Sequence, residues 1–209
     1  MDMKTLVIAG AILLALPVVK QLIGIGLARL LGRAIGQAAL NQQPDTIHLS
    51  ATGPHAWKNA PKAAGFASPL SDRGFQDAGS YTIPEMPGVV VRLMAKPEEH
   101  FYAAIYEHPQ AGHWMDLVTL YQDGTSSTFT TAKPTGLAPR PGHPSIHVPG
   151  AGPLALYARA RAERAKQTMV ATIPANAVHD FEQAYAESIA WRKNRGISAC
   201  EVAEVAKAA

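Results

Sequence analysis

Cysteine is nearly absent: Cys200 stands alone in 209 residues. That excludes an intrachain disulfide, a cysteine-ligated zinc site and an iron–sulfur cluster. Near the start of a helix its thiol could be activated, but a small apolar filler is the expected role. Charge is sparse as well, at 17% of residues against about 25% in an average soluble domain. Nor is there an excess of one sign. Lys4, Lys20, Arg29 and Arg33 against Asp2 and Asp45 leave +2 in the first 45 residues, so the remainder holds only +1 of the overall +3. Nucleic-acid-binding domains gather Lys and Arg on one face. Here only 159–166 is locally basic, and Arg159, Arg161, Arg164 and Lys166 read as a solvated helix face. Nucleic acid is not an expected partner.

Several motifs are missing too. There is no G-x-x-x-x-G-K-[ST] loop, no G-x-G-x-x-G after a strand, no G-x-S-x-G elbow and no H-E-x-x-H helix. These gaps disfavour P-loop NTPases, Rossmann enzymes, α/β-hydrolases and zincins. Enzymes whose groups meet only in space stay open. No internal repeat is found.

The first 41 residues are the most distinctive. Leu6 to Val19 is an unbroken apolar run, and after Lys20 the apolar pattern resumes from Gln21 to Leu31. As one helix, residues 5–28 would rise about 36 Å, enough for a hydrocarbon core of roughly 30 Å. Lys20 would snorkel towards the headgroups, and Pro17 is tolerated as a kink. A cleaved signal peptide is the rival reading, but Asp2 cancels Lys4 and no Ala-x-Ala-like site precedes Lys20. A buried soluble helix is the third. Residues 1–41 are therefore expected to be an uncleaved membrane anchor, with the lipid bilayer as partner of 5–28. Lys20, Arg29 and Arg33 follow the span, which by the positive-inside rule keeps the rest of the chain on the cytoplasmic side, though single N-terminal anchors often export their domain.

Gly24, Ala28, Gly32 and Gly36 recur every four residues on one helix face. Such a stripe lets helix backbones approach closely in a membrane, pairing the anchor with itself or with another membrane protein. Gln21, Arg29, Arg33 and Gln37 lie beside it, so an interfacial amphipathic helix with Arg on headgroups is the plainer alternative.

Residues 42–80 are rich in Pro, Gly and Ala, with poor periodicity outside 46–51, and read as a linker that partly packs on the domain. From Tyr81 the pattern alternates. Val89–Ala95, Phe101–Glu107, His113–Tyr121 and Ser126–Ala132 predict a four-stranded antiparallel meander, with a type I′ turn at Asp123-Gly124. Both faces are apolar, so the sheet should be covered on both sides. Lys133–Pro153, with six prolines and four glycines, reads as a rigid extended connection. Three helices follow. Pro153 and Pro174 open the first two, Gly196 stops the second, and a Ser198/Glu201 capping box starts the third. The second carries the stripe Val178, Phe181, Tyr185 and Ile189. The fold class is α+β: an N-terminal transmembrane or amphipathic helix, then an 81–209 domain of a meander packed on C-terminal helices.

For chemistry, the best candidate group is Glu107, His108, His113 and Asp116, whose hairpin brings its flanks together. A His with a carboxylate beside it makes a general base, and the same types can ligate zinc. Yet Glu107 and His108 read as solvated at the loop tip. Asp116 sits among apolar neighbours and needs a partner, for which Arg92 is the candidate. His143 and His147 are four apart in an extended segment and are expected as surface histidines. Tyr102, Tyr106, Trp114, Tyr121 and Phe129 either line a pocket or pack the core, and packing is the expectation, as for Tyr185 and Trp191. No metal and no cofactor is expected. The leading functional reading is a single-span membrane-anchored, non-catalytic binding or scaffolding subunit that engages a protein partner. Behind it come binding of a small apolar or lipid-like ligand by the sheet–helix domain, and a metal-assisted hydrolase at His108, His113 and Asp116.

Overall fold

A computed structural model describes residues 34 and 36–208. The expected span over 5–28, and Gly24, Ala28 and Gly32 of the stripe, lie outside the described residues. Among the described residues no helix is long and apolar enough to cross a membrane.

The chain divides into two compact units. The larger comprises Gln43–Pro134 and Ala138–Asn194; the smaller takes in Thr135–Leu137, Arg195–Ala209 and the N-terminal residues up to Gln42. The class is α+β, with a seven-stranded sheet in sequential order: β1 (Ser50–Thr52), β2 (Gln76–Thr82), β3 (Val90–Lys96), β4 (Phe101–His108), β5 (Gly112–Leu120), β6 (Ser126–Thr130) and β7 (Ser145–His147). All neighbours are antiparallel except β6 and β7, which are parallel. The helices are α1 (Ala60–Ser71), α2 (Pro153–Glu163), α3 (Ala177–Arg195) and α4 (Ala199–Ala208).

Strands β3 to β6 are the four predicted from alternation. The other three lie where turn-forming residues mask the period. The 42–80 stretch, expected as a linker, instead contains β1, α1 and most of β2. Asn59 caps α1, its side chain accepting from the Lys62 N–H at 3.1 Å. The helix then buries only small residues and one leucine: Ala63, Ala67 and Leu70, at spacings of four and three. Likewise the Pro-rich connection after Lys133 gives β7, a short edge strand. At 121–125 the chain does reverse, but not by a type I′ turn. That turn needs a left-handed Asp123, whereas among the described residues His100 is the sole non-glycine at positive φ. Gly124 alone takes the left-handed backbone there, at φ +81°, and the Asp123 carboxylate accepts from the Thr125 N–H (2.9 Å) and Oγ1 (2.6 Å).

The central strands are packed on both faces, most completely along β3, while the second face of β5 stays part-exposed. On the first, Val90, Met94, Phe101, Ala103, Ile105, Met115, Leu117 and Phe129 pack with Ala63, Ala67 and Leu70 of α1 and with Leu156, Tyr157 and Ala160 of α2. Each large apolar side chain so buried contributes about 1.5–3 kcal/mol. On the second, Val91, Leu93 and Ala104 meet Ala177, Val178 and Phe181 from the start of α3. The first face is pinned at its rim by a polar network. Lys96 Nζ donates to the Tyr157 hydroxyl (2.7 Å) and pairs with Glu99 (2.8 Å), and that hydroxyl donates to Glu99 Oε1 (2.7 Å). Arg161 pairs with Glu99 as well, and Arg164 lies 4.2 Å from the Phe101 ring centroid. These two arginines of the expected solvated face therefore anchor the end of α2 to the turn before β4.

In the smaller unit the capping box forms as read: Ser198 N–H donates to Glu201 (2.9 Å), and Glu201 N–H to Ser198 Oγ (3.2 Å). Residues 36–41 are helical, and Gly36 faces α4 of the same chain. A Cβ there would stand 2.8 Å from Val202 Cγ2 and 3.4 Å from Ile197 Cγ2. Cys200 is exposed, which corrects its expected role as buried filler.

Candidate functional site

The β4–β5 hairpin does not gather its four polar candidates into one cluster. Glu107 and His113 are register partners and so share a face. His108 and Asp116, one and three residues further along in parity, point to the other. Among the described residues no three His, Cys, Asp or Glu side chains stand together in a way that could hold a metal.

Glu107 corrects the sequence expectation most sharply. Far from reaching water, it is buried on the first face. Its carboxylate accepts from the Lys58 N–H (2.8 Å), the Asn59 N–H (2.9 Å) and His113 Nε2 (2.7 Å). Burial works to raise its pKa, but these three donors hold it below the usual carboxylate value. The group is a clamp: it fixes the chain entering α1, including the capping residue Asn59, onto the end of the hairpin. His108 has a local task, its Nδ1 accepting from the Gln110 and Ala111 N–H groups at 3.1 and 3.0 Å to shape the turn. His143 and His147 are likewise engaged separately, with Ser126 Oγ (2.9 Å) and the Ala132 carbonyl (3.0 Å).

Asp116 is different. Register sets it between Ala104 of β4 and Thr130 of β6 on the second face. Arg92, its expected partner, is on the first face and forms a two-pronged pair with Asp77, both contacts 3.0 Å. Asp116 as a residue is part-exposed, but its Oδ1 is sealed and accepts no hydrogen bond. Burial raises its pKa from 3.8 to about 6. The Thr130 and Tyr106 hydroxyls, the His147 ring and the Trp114 indole hold it lower than burial alone would, yet none reaches Oδ1 in hydrogen-bonding geometry. Tyr106 is pushed well up in turn, first by burial and then by the Asp116 charge.

The expected aromatic set is also divided between the faces. Phe129 is in the first core and the Tyr121 hydroxyl donates to Ser127 Oγ at 3.0 Å. On the second, Tyr106 stacks on Trp114 with centroids 4.6 Å apart, and the Tyr102 hydroxyl donates to Asp180 of α3 at 2.6 Å. Sequence reasoning missed the surround of Asp116, because Thr130 and His147 join it only through strand pairing. It also missed the Lys96–Glu99–Tyr157 network, because Tyr157 lies some 60 residues from the other two. The chain matches no protein-family model, no curated protein and no solved structure.

Two outcomes follow from the two carboxylates. Replacing Glu107 with Ala strips the acceptor from two backbone N–H groups and the His113 ring, so urea unfolding should show a loss of about 3 kcal/mol. Hydrogen exchange at Lys58 and Asn59 should rise with it; a loss below about 1 kcal/mol would contradict the clamp. For Asp116 the sign is opposite. Between pH 3.8 and about 6 the folded chain keeps a proton that the unfolded chain has released, so stability falls as pH rises through that window. At about 1.4 kcal/mol per pH unit the ionised group costs about 3 kcal/mol. Asp116→Asn should gain about that much at pH 7.5 and match the parent near pH 4, read from urea midpoints across pH.

Proposed function

We propose that this chain is a single-span membrane-anchored binding or scaffolding subunit that does no chemistry of its own and engages a protein partner. The observation that carries it is the apolar stretch over 5–28 running into the small-residue stripe Gly24, Ala28 and Gly32, whose next member, Gly36, packs on α4 of the same chain. A span of that length suits a bilayer, and small residues four apart suit close helix pairing. The pairing of Glu107 with His113 and with two backbone N–H groups, and the use of His108 Nδ1 by its own turn, support a non-catalytic role, since a general base needs a proton-accepting atom within reach of substrate. The basic residues Lys20, Arg29 and Arg33 favour a cytoplasmic placement of the folded domain.

Full-length protein should stay in the membrane fraction through an alkaline carbonate wash, and a chain beginning at residue 34 should not. In mild detergent, Gly32→Leu should reduce the complex to a smaller species by native mass spectrometry. Recovery of the full chain in the soluble fraction, or an unchanged complex in the variant, would contradict the proposal.

A further inference from the structure

We draw no further inference here: the strongest candidate, the part-exposed second face of β5 around Trp114, Val118 and Leu120, is an apolar sheet face, and nothing among the described residues shows what covers it.

Discussion

The first face of strands β3 to β5 is covered by α1 and α2, and that single constraint governs the rest of the larger unit. A polar side chain on a face turned to water has somewhere to go; one in the middle of this face does not. Each polar group buried there must find its partner inside the fold. Glu107 does so, and in doing so organises its surroundings. It holds the Lys58 and Asn59 amides, Asn59 caps α1, and α1 lays Ala63, Ala67 and Leu70 over the first face. The alanines make α1 a poor source of burial energy by itself. Its position depends on being held, and the carboxylate at the end of the hairpin holds it.

The same constraint explains the polar rim. Lys96 leaves β3 at the edge of the first core, half-buried beside Phe75 and Tyr157. Burial alone would depress its charge, but Glu99 and the Tyr157 hydroxyl more than offset it, and its pKa is raised. With Arg161 and Arg164 added from α2, the turn before β4 becomes a fixed point to which helix and sheet are both tied. Asp116, on the second face, is met only in part. The Thr130 and Tyr106 hydroxyls and the Trp114 indole act on the carboxyl as hydrogen-bond donors but leave Oδ1 without a partner, and burial raises its pKa to about 6.

How far the sequence discloses this differs by element. Strands β3 to β6 are legible because each is a run of five or more residues rich in β-branched and aromatic side chains, bounded by turn-forming residues. The capping box at Ser198 and Glu201, the prolines that open α2 and the short helical turn at 174–176, and Gly196 after α3 follow from local chemistry and are where the sequence puts them. β1, β7 and α1 are not legible. Two are three-residue strands, too short to show a period, and α1 contains Gly65 and Pro69 in an alanine-rich run. The site is harder still. Parity along β4 and β5 separates Glu107 and His113 from His108 and Asp116, and it sets Arg92 on the face away from Asp116. What parity does not give is burial: Glu107 looks like a loop-tip residue until the 57–59 segment, nearly 50 residues upstream, folds over it. Asp116 reads correctly as a carboxylate in need of a partner. That its neighbours leave Oδ1 without a partner depends on distances that only the assembled sheet fixes.

A sealed, unpartnered Oδ1 on Asp116 sets the proton affinity of that carboxyl, which can be read directly. The chain labelled with carbon-13 at aspartate would be titrated by NMR from pH 3 to 9, following the Asp116 carboxyl carbon assigned by comparison with Asp116→Asn. The account predicts a midpoint of about 6, displaced well above the solvated aspartates. A midpoint at or below the ordinary 3.8 would mean that Oδ1 is solvated or hydrogen-bonded after all, and would contradict it.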